Sequence, residues 1–488
     1  MRDMKKIIII GSGIGGSGIG ALLAKNTKSE IILFEKNKII GGRCGSYIKK
    51  DELGREWNCD VGTHIFGNSD KGFLGDILRE CDASDKVKWA YVRNPGPRIN
   101  IMGNELSFSL KKKGASEKKT KRKKRPSKKK SFRDIITEMS YEETYKYDDV
   151  PLYKWLNDNR QDAFMYGLQA GLMFGTPPNT TSAGEFLRCS KKNAENRAFG
   201  YCYGGTGAIP KAYCSIIEEN GGKVYSETGV NKIVIENNDV KGVEVGKDNK
   251  FYPADIVISN ADIKTTTNEL VGSKYLDKEY VDCVNALTWG GQVCSLKLGI
   301  DIEITHHKWL NYVPKMDPKM MKAVSGAGLD DIDPVDVPEK SVLMIVPISN
   351  LDPALAPEGC QNLHCVTPTF GGTDLPMEDR VKIAKKWEQC CLNTLLDLWP
   401  EIEGHIMYQD FVSDVYLEKM FGKEGAGTGI GQEIGQVGKN RPKQKMSINN
   451  LYLSSADAGG WGVGTELAAK SALELYEKFV EEKIIETK

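Results

Sequence analysis

Three observations predict an α/β fold: a four-isoleucine run opening into a glycine-rich turn, a second apolar run ending on a glutamate, and more short strands far downstream. The expected architecture is a Rossmann-type dinucleotide-binding domain with an α+β domain interleaved through it. Ile7–Ile10 is a short β-branched run without alternation, the pattern of a parallel strand buried on both faces. It runs into Gly11-Ser12-Gly13-Ile14-Gly15-Gly16, where Gly11, Gly13 and Gly16 satisfy G-x-G-x-x-G. Gly11 permits the tight turn, Gly13 lets backbone amides approach a pyrophosphate, and Gly16 lets helix and strand pack closely. A helix follows through Ala21-Leu22-Leu23-Ala24-Lys25, its N-terminus facing the phosphates with free N–H groups. The strand Ile31–Phe34 then ends at Glu35-Lys36, nineteen residues after Gly16, where a carboxylate can accept the hydroxyls of an adenosine ribose. A second glycine cluster, Gly425–Gly431, has no preceding strand, so it reads as a mobile loop.

Composition excludes some classes. The 488 residues carry 67 basic and 66 acidic side chains, a net charge of +1, but the distribution is uneven. Lys111–Lys130 holds 13 bases and one acid, a balance of +12, so the rest carries −11. The simplest reading of the basic run is a solvated loop, since lysines that repel one another build no core. A second reading is an electrostatic contact with anionic membrane. Nucleic acid is disfavoured because no aromatic residue interleaves the run. Twelve scattered cysteines without a C-x-x-C pair, and five histidines not spaced as ligands beside them, predict a cytoplasmic protein with reduced thiols and no metal site. No run of about 18 apolar residues occurs, so no membrane-spanning helix is expected.

Gly41-Gly42-Arg43 follows Glu35 after a short gap, and Asp60-Val61-Gly62-Thr63-His64 comes next. Downstream are Tyr203–Pro210 with its three glycines and the short strands Val230–Ile235, Val240–Val245 and Phe251–Tyr252. Asp255–Ser259 leads to Asn260, and Asn450–Asp457 leads through Gly459-Gly460-Trp461-Gly462-Val463-Gly464 into an amphipathic helix from about Thr465 to Phe479. With these motifs the chain resembles the phytoene-desaturase-like branch (carotenoid desaturases and retinol saturases) of the FAD-dependent amine-oxidase superfamily. The resemblance covers nearly all of the sequence outside residues 103–135.

The resemblance implies a glutathione-reductase-like FAD-binding domain made of 1–102, 204–285 and 440–488. A substrate domain of 136–203 and 286–439 would interleave with it, and 103–135 would be a Lys-rich insertion. It implies FAD held by Gly11, Ser12, Gly13, Ile14, Gly15, Gly16, Glu35, Lys36, Gly42, Arg43, Gly62, Thr63, His64, Val230, Asn260, Asp457 and Val463. Arg43 would reach the phosphates, Val230 the adenine side, and Asp457 a ribityl or phosphate oxygen. The implied activity is hydride transfer between flavin N5 and a carbon of an apolar, isoprenoid- or polyene-like molecule, in a desaturation, saturation or isomerisation. Reduced flavin would then pass electrons to a partner, a quinone, oxygen or a transient nicotinamide. Two alternatives stay open: an amine or other small-molecule oxidase, and a prenyl-binding protein without flavin chemistry. The last glycine motif departs from the His-Pro-Gly-type stretch usual in carotenoid desaturases. Trp461 there packs on the flavin, walls a substrate tunnel, or fills a domain joint. His64 and Glu466 are the only catalytic candidates in view, and neither is assigned a role.

Overall fold

A computed structural model of the chain describes residues 4–62, 65–107, 130–324, 333–369 and 373–488. Thr63, His64 and nearly all of the Lys111–Lys130 run lie outside these residues; Lys130, at its edge, pairs with Glu138.

The isoleucine run forms the strand Lys6–Ile10, the centre of a five-stranded parallel sheet. Across the sheet the order is Leu451–Leu453, Ile256–Ser259, Lys6–Ile10, Glu30–Phe34 and Lys223–Tyr225. Both faces are covered, which explains the missing alternation. Ile7 and Ile9 face a layer of helices (Ile14–Asn26, Phe73–Glu80, Ala208–Glu219 and Gly464–Glu481), whereas Ile8 and Ile10 face the antiparallel meander Val230–Glu236, Asp239–Val245, Lys250–Pro253. Three distant stretches of chain thus complete one parallel sheet.

A seven-stranded sheet runs Ile406–Val412, Val293–Ile300, Gln361–Pro368, Leu343–Pro347, Leu310–Val313, Arg98–Ile101, Asn104–Ser107. Arg98–Ile101 falls before the expected boundary at residue 102, yet it pairs with Leu310–Val313 in this sheet and not in the parallel one. Along Val293–Ile300, Cys294, Leu296, Leu298 and Ile300 pack with Trp387, Cys390, Cys391 and Leu395 of the helix Met377–Leu398. The intervening residues, including the buried Lys297, point to the opposite face. A third layer gathers the helices Phe132–Glu138, Leu152–Asp158, Ala163–Phe174 and Ala183–Asn196. On the third of these, Leu168 is buried but Phe164 is exposed.

The second glycine cluster is not the loose loop its sequence suggests. Gly290 donates to Gly429 O (2.9 Å), Gly427 to Gly291 O (3.2 Å) and Gly431 to Thr288 O (2.9 Å), so it is laced to residues 288–291. Non-local backbone pairing organises it, which composition alone does not reveal.

Candidate dinucleotide site

The first turn is built around Ser12 and Glu35. Gly11 turns at φ +92° and donates to Phe34 O, fixing the glycine turn at the end of the second strand. Ser12 is fully buried; its N–H and hydroxyl both donate to Glu35 Oε2, at 2.9 and 2.7 Å. Asn37 N–H donates to Oε1 at 2.8 Å, and Gly41 N–H donates to the Ser12 hydroxyl at 2.9 Å. A carboxylate offers about four acceptor positions. Three are filled within the chain, so Glu35 shapes the turn and keeps capacity for one ribose hydroxyl. The Lys36 side chain is exposed. Thr228 N–H donates to Glu35 O, bringing the first residues of the meander, Val230 among them, beside this end of the site.

Asn260 closes the other side. Its N–H donates to Ile10 O, and its side chain lies against the glycines: a Cβ on Gly13 would stand 2.6 Å from its Nδ2. On Gly15 a Cβ would fall 2.3 Å from Ser454 O, and on Gly16 2.1 Å from Gly11 O. Ile14 is buried in the core behind this turn. Gly13 caps the helix Ile14–Asn26 without a side-chain hydrogen bond, and no acid stands in the first turn, so the positive end of the dipole is left for an anion.

Three further glycines are closely neighboured. Cβ atoms on Gly42, Gly62 and Gly464 would meet Gly13 Cα at 3.8 Å, Arg43 O at 3.6 Å and Thr428 Cγ2 at 3.9 Å, ordinary van der Waals distances. Gly62 N–H donates to Arg43 O at 3.1 Å, so the G-G-R and D-x-G segments run side by side. This cradle, the uncapped helix end and Glu35 fit a dinucleotide. Arg43 donates to Ala426 O (3.0 Å) and Gly422 O (3.1 Å). Burial pulls its pKa down to about 10, against the opposing pull of Asp457 and Asp262. Asp457 is fully buried and holds Lys423 Nζ at 2.7 and 2.9 Å. Val463 is the N-cap of the helix Gly464–Glu481 and packs with the third helical layer.

Asp60 ties the cradle together. Its Oδ1 accepts from the Ser46 hydroxyl (2.6 Å) and Thr206 N–H (3.0 Å), and its Oδ2 accepts from Tyr201. Burial raises its pKa, and these three donors oppose the rise. Trp461 stacks edge-on to Phe73 (centroids 5.1 Å apart) and tilts against Tyr141 (5.4 Å), so it fills the joint between layers. Glu466, only 7 % exposed, accepts Phe73 N–H at 2.9 Å through Oε2 and thereby caps the helix Phe73–Glu80. Burial pushes its pKa up to about 7.

Sequence reasoning missed three cations of this region, the buried Lys297 and Arg441 and the part-buried Lys423. Lys297 Nζ and the Nε and Nη1 of Arg441 have no hydrogen-bond partner among the described residues. Burial brings Lys297 down to about 8 and also lowers Arg441. Lys423, the third, stands in the left-handed conformation (φ +62°) beside the second glycine cluster. An alternating strand around Lys297 was the one available signal; the other two lie on irregular chain.

Residues 9–81 match the NAD(P)-binding Rossmann-like domain family. The chain is 25 % identical over 202 residues to a phytoene desaturase (lycopene-forming) of Pseudescherichia vulneris, covering 40 % of this chain and 38 % of that protein. It is 24 % identical over 407 residues to the chloroplastic prolycopene isomerase 2 of an Oncidium hybrid cultivar, covering 74 % of this chain and 63 % of that one. The chain therefore matches less than two thirds of either relative's length. An oxidoreductase of known structure from Methanosarcina mazei superposes with a TM-score of 0.67 at 19 % identity, over 97 % of this chain and all of the other, a likeness of fold. The chain thus carries an NAD(P)-binding Rossmann-like domain, and its relatives are those of the carotenoid-desaturase branch of the FAD-dependent amine-oxidase superfamily.

Proposed function

We propose that the protein is an FAD-dependent oxidoreductase that moves hydride between flavin N5 and a carbon of an apolar, isoprenoid- or polyene-like substrate. The observation that carries the reading is the close approach of Gly42 to Gly13 at the uncapped N-terminus of the helix Ile14–Asn26, with Gly62 bonded to Arg43 O beside it. A bound flavin supplies the two-electron chemistry. The chain's part is to bind and orient. Gly11–Gly16 would present amides to the diphosphate, Glu35 would take one ribose hydroxyl, and Arg43 would balance the phosphate charge. Val230 and Lys36 would border the adenine end, Asn260 would hold the glycine turn, and Val463 with Gly464 would bring the last helix's N-terminus toward the flavin ring. We assign the cofactor lobe to the parallel sheet, its helices and the meander, and the substrate lobe to the seven-stranded sheet with the third helical layer. Arg98–Ser107 then joins the substrate lobe.

Anaerobic mixing with a panel of polyenes, isoprenoids and amines tests the reading. Bleaching of the flavin band by an alkene supports it. A colourless protein that binds no added FAD refutes it, and bleaching by amines alone converts it to an amine oxidase. The basic run Lys111–Lys130 is proposed to touch anionic lipid. Salt-sensitive cosedimentation with phosphatidylserine vesicles is expected, and its absence refutes the contact. Among the described residues no helix is long and apolar enough to cross a membrane.

A further inference from the structure

We propose that Lys423 is a direct ligand of the dinucleotide's anionic diphosphate, and that Asp457 acts through it as a positioning residue. The inference rests on the flavoprotein reading above and adds a residue to its site.

Asp457 is saturated. Its Oδ1 accepts from Lys423 Nζ (2.7 Å) and Ile430 N–H (3.2 Å), and its Oδ2 from Lys423 Nζ (2.9 Å) and Ile263 N–H (3.2 Å). All four acceptor positions of a carboxylate are in use, so none is left for a ribityl hydroxyl, and an ionised acid repels phosphate. That departs from the role the family resemblance implies for Asp457. Lys423, by contrast, is a cation with three donors, its side chain 10 % exposed. Asp457 fixes the ammonium in place.

The backbone at this point is forced. Gly422, Lys423, Glu424 and Gly425 all have positive φ, at +72°, +62°, +51° and +78°. Left-handed conformations are unfavourable for lysine and glutamate and persist where surroundings over-determine them. Here the clamps are the two groups expected to meet the cofactor. Arg43 bonds the carbonyls of Gly422 and Ala426, and Asp457 holds the Lys423 side chain between them. At Gly422 (φ +72°) a Cβ would stand 2.7 Å from Asp262 Oδ2, so a side chain there would have to displace that carboxylate. Residues 422–426 therefore form a strap that places a second cation beside Arg43. Arg43 follows Gly42, whose Cβ position would lie 3.8 Å from Gly13 Cα at the helix N-terminus. Two cations and a helix dipole converging on one cradle suit a diphosphate.

The test uses full-length protein stripped of flavin and titrated with FAD by fluorescence quenching. Lys423→Met is expected to weaken FAD binding about 10- to 100-fold, the loss of one charge-assisted hydrogen bond, and Lys423→Arg to recover part of it. Lys439→Met, at an exposed lysine paired with Asp149, is the control that leaves affinity unchanged. Lys423→Met and Asp457→Asn should be non-additive, the double variant binding no more weakly than Lys423→Met alone; additive losses would overturn the positioning role. In the unmodified protein, FAD should slow tryptic cleavage after Lys419 and Lys423, a readout independent of any variant's folding. Equal cleavage rates with and without FAD, or wild-type affinity in Lys423→Met, would overturn the assignment. Wild-type protein that binds no FAD refutes the flavoprotein reading itself, a separable outcome.

Discussion

Replacing Glu466 by glutamine isolates the cost of keeping one carboxyl dry at the junction of two helices. The side chain stands in the first turn of the helix Gly464–Glu481 and caps the helix Phe73–Glu80 through Phe73 N–H, while Oε1 has no partner among the described residues. Burial is the largest cause of its raised pKa; the Phe73 N–H and Lys192 oppose the rise, and Asp76 adds to it. The native group titrates near 7 against an ordinary 4.5, so between these values the folded chain binds more protons than the unfolded one. The stability this proton confers is therefore full below about pH 4.5 and is lost as pH rises through about 7. At 1.36 kcal/mol per pH unit the full loss is roughly 3 kcal/mol. Glutamine keeps an oxygen for Phe73 and cannot ionise, so Glu466→Gln should match the wild type near pH 4 and exceed it by roughly 3 kcal/mol at pH 8. Urea titrations of both proteins at four pH values, followed by far-ultraviolet circular dichroism, give the difference directly, because every other titrating group cancels. A gap that stays flat from pH 5 to pH 8 would refute the argument.

Three further outcomes are expected. Arg188→Met should cost about 3–5 kcal/mol in a urea titration at pH 7, because it leaves Glu185 (2.5 Å away) and Asp148 (2.7 Å away) as buried, unpaired acids. The loss should shrink as pH falls and Asp148, whose pKa burial raises, takes up a proton. Leu296→Ala, in the core between the seven-stranded sheet and the helix Met377–Leu398, should cost about 2–5 kcal/mol by the same measure and leave the affinity for FAD intact. Gly15→Ala drives a methyl to within 2.3 Å of Ser454 O, a backbone atom that cannot step aside, so the purified variant should lose flavin absorbance.

The parts legible in the sequence are those whose chemistry is local. The turn at Gly11–Gly16, the acid at Glu35 and the meander after Val230 each need particular residue types at short spacing, and each stands where the spacing puts it. Even there one partner was hidden. Spacing puts Glu35 where a carboxylate can accept both adenosine ribose hydroxyls, and the Ser12 N–H and hydroxyl, which bond the same carboxylate to hold the turn, are not visible from that spacing. The helix Ala183–Asn196 escaped notice because its buried residues include Glu185, Arg188 and Lys191, an internal polar set that breaks the apolar periodicity.

What stayed illegible depends on chain that meets from far apart. Arg43 and Gly422 are separated by 379 residues, and Asp457 meets Lys423 across an irregular stretch. No period or motif in residues 422–431 announces these pairings, and its glycines look like those of an unstructured link. The cue lies in backbone geometry: a left-handed lysine beside a left-handed glutamate is unfavourable unless something holds it. Here Arg43 grips the carbonyls on both sides and Asp457 grips the ammonium. Spacing can therefore mark where a dinucleotide enters, at the first turn, while the strap beside its phosphates is specified only by the tertiary contacts that strain it.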